Sequence, residues 1–107
     1  MGSATAFHLA QRGLRVLGLD RFSPPHAFGS SHGETRIIRE AYFEHPAYVP
    51  MVQHAHSLWR DLEKESGTTL LMQTGGVMVG RPDSDLVQGA RRSAELHGLP
   101  YQMLMSG

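Results

Sequence analysis

Residues 20–42 read DRFSPPHAFGSSHGETRIIREAY and hold most of the side chains in this sequence that could do polar chemistry. Arg36 and Arg39 stand three apart in TRIIR. A guanidinium is a planar fork that grips a carboxylate through two parallel hydrogen bonds and stays charged at any working pH. Ser30, Ser31 and His32 offer donors and acceptors beside Gly33, and Asp20 offers an anionic acceptor at the start of the stretch. The bland alternative makes both arginines solvated charges on a strand, and the residue types alone leave it open.

Asp20 acquires a context from what precedes it. Residues 2–12 place Ala4, Phe7 and Ala10 on one face with Ala6 and Leu9 alongside, which predicts a helix packed on a sheet. Gly13 is the expected C-terminal cap, and Arg15 to Leu19 the short apolar run of a buried parallel strand. A dinucleotide-binding unit runs strand, G-x-G-x-x-G, helix, strand, then an acid about 20 residues on that accepts the ribose hydroxyls. Gly2 fits the third glycine and Asp20 the acid, eighteen residues later. The strand and first two glycines of such a unit would precede Gly2, so the expectation is a partial doubly wound α/β domain, Rossmann-like, lacking its first strand. On these residues alone, an ordinary helix and strand with a surface aspartate fits equally well.

Other elements must carry these groups. Residues 21–34, with Pro24-Pro25, Gly29 and Gly33, predict a long irregular connection, and loops of that length in compact domains are usually functional. Thr35, Ile37 and Ile38 suggest a short strand or extended turn. From Pro46, the residues Tyr48, Met51, Val52, Ala55, Leu58, Trp59 and Leu62 recur at helical spacing, with Lys64 near the end and Gly67 as the stop. Leu70 to Met72 and Gly76 to Val79 read as two short strands about Thr74-Gly75. A last helix is expected over Asp83 to His97, with Asp83, Ser84 and Asp85 as capping candidates and Gly98 and Pro100 ending it. Tyr101 to Met105 begins another strand. Trp59, Met51, Met72 and Met78 are expected in the core. His54 and His56, two apart on a helix, face different directions and make no metal site.

Composition narrows the function classes. Ten basic and ten acidic side chains give a formal net charge of zero, so there is no electrostatic footprint for nucleic acid or an anionic membrane. No apolar run approaches the roughly 20 residues of a membrane span, and no secretory signal is evident, which gives a cytoplasmic expectation. The absence of cysteine removes disulfides, thiolate metal ligands and thiol nucleophiles. No metal is expected, and nothing in the sequence sets an oligomeric state.

The run from Asp20 to Tyr42 closely resembles the monomeric sarcosine oxidase and N-methyltryptophan oxidase group of FAD-dependent amine oxidoreductases. In that group an acid ends the second strand and is followed by a PPH turn, a G-S-x-H-G loop and T-R-I-I-R-x-A-Y at this spacing. The later YVP, the LW of the long helix and the TGGV turn match as well, so the resemblance covers nearly the whole chain. It implies FAD as cofactor, with Gly2, Asp20, Arg21, Ser30, Ser31, His32, Gly33 and Arg36 as cofactor-binding residues. It also implies that Arg36, Arg39 and His32 carry chemistry, Arg36 over the flavin ring and Arg39 on the carboxylate of an amino-acid substrate. A fixed cation beside the ring would lower the cost of the negative charge that amine oxidation develops there. Ser31 departs from the pattern, standing where the best-known bacterial members carry a second histidine, and this leaves the substrate within the class open.

The resemblance implies an oxidase of N-methyl or other secondary amino acids that uses oxygen and releases hydrogen peroxide. Residues 1–75 would belong to the FAD-binding domain and 76–107 would begin a substrate domain. The chain would be an N-terminal slice of such an enzyme, inactive alone. The alternative is a truncated, non-catalytic nucleotide-binding fragment. An NAD(P)-dependent dehydrogenase would share the helix and Asp20 but leaves the S-x-H-G-x-T-R-I-I-R run unexplained.

Overall fold

A computed structural model describes residues 2–30 and 32–104. The chain divides into two compact units, residues 1–36 and 37–107. Ser31 and Met105, both named above, lie outside the described residues.

The first unit opens with α1, Gly2–Gln11. Its end is specified as the sequence predicts. Gly13 takes φ +77°, its N–H donates to the Ala10 carbonyl at 2.9 Å, and the Leu14 N–H donates to the Leu9 carbonyl at 3.2 Å. This is the paired bonding of a Schellman cap, which a left-handed glycine permits at no steric cost. No residue of α1 is buried. The remainder of the unit is irregular and includes a cis Pro24-Pro25 bond.

The second unit contains α2, Tyr48–Ser66, and α3, Asp85–His97. Gly67 caps α2 at φ 65° and Gly98 caps α3 at φ 63°, each giving its N–H to a carbonyl four residues back. Of the three capping candidates for α3, Ser84 is the one used: its hydroxyl oxygen accepts the Val87 N–H at 3.4 Å. Ser84 wins over its acidic neighbours because it alone sits in the extended conformation one residue before the helix. Among the described residues the buried ones are Pro46, Val49, Ser93 and Ala94. Leu86, Val87 and Ala90 of α3 are half-buried, as their spacing predicts.

A carboxylate clamp fixes the chain after α2. Glu63 Oε1 accepts the N–H groups of Leu70 and Leu71 at 2.7 and 2.8 Å, and Oε2 accepts from Arg60 Nη1 at 2.7 Å. The same Arg60 nitrogen donates to the Leu71 carbonyl at 2.8 Å. Glu63 is only 14% exposed, and the Leu71 amide, Arg60 and the Leu70 amide hold its carboxyl down at about 2. The Arg60–Glu63 spacing is visible in sequence, but the reach to the following amides is not.

Two expectations fail among the described residues. Segments 15–19, 35–38, 70–72, 76–79 and 101–104 form no strand. A strand is stabilised by ladder bonds to a neighbour, and none of these segments has a neighbour to pair with, so their backbone stays irregular. The α/β architecture is therefore present in its helices alone. The expected core side chains are also uncovered: Trp59 is 41% exposed, and Met51, Met72 and Met78 are exposed too. The apolar stripe of α2 has the right period, but Met51, Leu58 and Trp59 along it are exposed.

Candidate functional site

In the first unit the Asp20 carboxylate closes a small aromatic turn. Oδ1 accepts the Phe22 N–H at 2.9 Å, and His26 Nε2 lies 3.2 Å from Oδ1 and 3.3 Å from Oδ2. The Phe28 N–H donates to His26 Nδ1 at 3.1 Å. A ring nitrogen that accepts carries no proton, so with Nδ1 accepting, Nε2 is the nitrogen that donates to Asp20. The Phe22 amide first, then the bond from His26, keep the Asp20 carboxyl below its ordinary value. Phe22 stacks on Phe28 at 4.4 Å, and the Arg21 guanidinium stands 5.5 Å over the Phe22 ring. His26 went unnoticed as a partner because its six-residue separation from Asp20 follows no helical or strand period.

The G-S-x-H-G loop and Arg36 form a second local structure in the same unit. Arg36 Nε and Nη2 both donate to the Ser30 carbonyl, at 3.2 and 2.8 Å, and Nη1 donates to the Thr35 carbonyl at 2.6 Å. Gly33 takes φ +100°, and a Cβ there would meet Arg36 Nη1 at 3.0 Å. The glycine thus supplies both a left-handed turn and room for the guanidinium. His32 donates from Nδ1 to the Gly29 carbonyl, which leaves Nε2 as its free ring position. Ser30, His32, Gly33 and Arg36 are therefore brought together. Two of the five guanidinium N–H groups on Arg36 remain for other acceptors.

Gly2 begins α1, and a Cβ there would meet nothing within 4 Å. The first turn of α1 carries no acidic side chain. An ionised carboxylate with acceptor capacity left on Oδ2, and a helix start free of anions, fit the ribose hydroxyls and phosphates of a dinucleotide.

Arg39 lies in the second unit with a different set of partners. Nη2 donates to Glu44 Oε1 at 3.1 Å, and the guanidinium lies 4.9 Å from the Tyr42 ring centroid and 5.3 Å from that of Phe43. The side chain is 39% exposed. One edge of the fork is held by an acid and its plane is seated on two rings, while Nε and Nη1 face no other protein acceptor among the described residues. Helix α2 steadies this segment through Gln53, which donates to Glu40 Oε1 at 3.0 Å, and through Tyr48, whose ring lies 5.2 Å from that of Tyr42. Glu44 was not singled out in the sequence, although an acid five residues from an arginine across an aromatic pair was there to be noticed.

The pattern of the FAD-dependent oxidoreductase (DAO) family matches residues 1–107. The chain is 53% identical over 104 residues to monomeric sarcosine oxidase of Streptomyces avermitilis, covering 97% of this chain and 27% of that protein. It is 42% identical over 106 residues to N-methyl-L-tryptophan oxidase of Yersinia pestis, covering 99% of this chain and 29% of that protein. The chain thus spans little more than a quarter of the length of these relatives. It belongs to the FAD-dependent oxidoreductase family, whose cofactor is FAD.

Proposed function

We propose that this chain contributes to an FAD-dependent oxidase acting on N-methyl or other secondary amino acids. The observation that carries the reading is the seating of Arg39 on Tyr42 and Phe43, with one edge of its fork on Glu44 and the rest open. Such a guanidinium is preorganised for a carboxylate, which would take the two parallel bonds that a fork offers. The two relatives named above support the substrate class.

Bound FAD would supply the acceptor for the hydride equivalent removed from the C–N unit of the substrate. Hydrolysis of the resulting imine would give an aldehyde and the freed amine, and dioxygen would take up the two electrons and two protons as hydrogen peroxide. Asp20 takes the adenosine ribose, with Arg21 beside it and Gly2 at the phosphate end of α1. Ser30, His32 and Gly33 would line the flavin side, and Ser31 is assigned to it by its place in the sequence motif alone. Arg36, held by the Ser30 and Thr35 carbonyls, keeps a positive charge where negative charge develops, which lowers its cost. Arg39 orients the substrate by its carboxylate, so that the amine end faces the site of oxidation.

On this reading residues 1–75 belong to a doubly wound FAD-binding domain and residues 76–107 open the substrate domain. The segments 15–19, 70–72 and 76–79 become strands when their sheet partners lie beside them. The reaction is cytoplasmic; no helix among the described residues is long and apolar enough to cross a membrane.

Arg39→Lys tests the reading in the flavin-loaded enzyme. A point charge cannot reproduce two parallel bonds, so the apparent KM for an N-methyl amino acid should rise on the order of tenfold or more. An unchanged KM would remove the carboxylate from Arg39.

A further inference from the structure

The geometry points to Gly89 and Ser93 of α3 as positioning residues for Arg39, acting through the main chain of Tyr42 and Phe43. Neither touches Arg39. Ser93 is fully buried, and its hydroxyl donates to the Tyr42 carbonyl across 51 residues of sequence. Gly89 lies one helical turn earlier on the same face. A Cβ on Gly89 would overlap the Phe43 carbonyl oxygen and come within 2.9 Å of its carbonyl carbon and 3.0 Å of its Cα.

Glycine weakens a helix interior, so its place in the middle of α3 calls for a compensating contact. The contact is this backbone approach. The atoms in the way are main chain, not the end of a flexible side chain, so an added methyl must displace the Phe43 backbone. Everything that holds Arg39 hangs from that backbone: the Tyr42 ring, the Phe43 ring and, one residue on, the Glu44 carboxylate. Helix α2 grips the same segment by side chains, at Glu40 and Tyr42. The small face of α3 therefore sets the height and tilt of the seat beneath the guanidinium. This rests on the reading that Arg39 binds the substrate carboxylate, which gives the positioning its functional consequence.

The test reads Arg39 itself. In the full 107-residue chain labelled with [15N]arginine, the Arg39 Nε–Hε resonance, identified by its loss in Arg39→Lys, is displaced by the ring currents of Tyr42 and Phe43. Gly89→Ala and Ser93→Ala should move it toward the position of a free arginine. The Arg91 Nε–Hε resonance, whose donor bonds Glu95 at 2.8 Å within α3, should stay in place. Ser93→Thr keeps the hydroxyl and should restore the Arg39 shift. In the flavin-loaded enzyme the same alanine variants should raise KM for an N-methyl amino acid on the order of tenfold, with kcat for a carboxylate-free secondary amine little changed.

An Arg39 resonance unmoved in both alanine variants overturns the inference. So does joint loss of the Arg39 and Arg91 resonances in Ser93→Ala, the milder change, since that outcome assigns the pair to general packing. If the Arg39 resonance moves as expected while KM does not, the positioning role stands and the carboxylate reading of Arg39 falls.

Discussion

Arg36 and Arg39 are three residues apart, yet the chain deploys them in opposite ways. In the first unit, Arg36 turns back on its own loop and spends its donors on carbonyls no more than six residues distant. In the second, Arg39 sits on two rings and one acid, and the segment beneath it is fixed by groups 13 residues on, in α2, and 51 residues on, in α3. A loop braced by its own neighbours keeps its shape wherever its flanks go. A seat built by distant helices depends on those helices. On the proposed function, the difference suits a cofactor loop that must present fixed charge and a substrate site whose specificity is tuned from elsewhere.

Breaking the first region should affect all substrates alike. Arg36→Ala removes a fixed cation together with its three bonds to the Ser30 and Thr35 carbonyls, so turnover should fall about a hundredfold in the flavin-loaded enzyme. The loss should be similar for a secondary amino acid and for an amine without a carboxylate. Steady-state rates with the two substrates check it, and selective loss of the amino acid would erase the contrast with Arg39.

Asp20→Ala should act on the cofactor alone. Removing a charged acceptor from a ribose hydroxyl should weaken FAD retention on the order of tenfold to a hundredfold and leave the ratio of rates between substrates unchanged. Flavin content after dialysis, read from the visible spectrum, decides it. Full flavin content with altered substrate choice would move Asp20 out of the nucleotide site.

The smallest effect concerns how the second unit depends on its clamp. The Glu63 carboxyl is held at about 2, below its ordinary value of 4.5, so the stability it contributes is fully present above the ordinary value. That stability is lost as pH falls through the interval toward about 2. The amide shifts of Leu70 and Leu71 should titrate with a midpoint near 2, and the thermal midpoint should drop over the same interval. Glu63→Gln should lower stability near neutral pH and flatten this acid dependence. A Leu71 amide that titrates near the ordinary carboxylate value would show that the clamp does not form.

Much of this arrangement was readable in the residues. Gly13, Gly67 and Gly98 announce their helix ends because a left-handed cap is a local property. Ser84 and the period of α2 are equally local. The strands were not obtained from pattern alone, because an apolar run such as 15–19 becomes a strand only against a neighbour, and none lies beside it here. The exposure of Trp59 has the same origin: periodicity names a face but does not supply what covers it. At the site, the residues of the S-x-H-G and TRIIR motifs stood out by type, whereas their supports did not. His26, Glu44, Gly89 and Ser93 matter through what they touch, and only the helix-interior glycine left a mark in the sequence, as an unfavourable residue in an otherwise regular α3.

The most direct test compares two substrates on one variant. In the flavin-loaded enzyme, Arg39→Ala should lower kcat/KM for an N-methyl amino acid on the order of 30-fold to several thousand-fold, the usual cost of losing a desolvated charge-assisted pair. A secondary amine of similar size without a carboxylate never used the contact and should lose much less. An equal penalty on both substrates would contradict the account, because Arg39 would then serve the fold or the flavin, and the amino-acid substrate class would lose its main support.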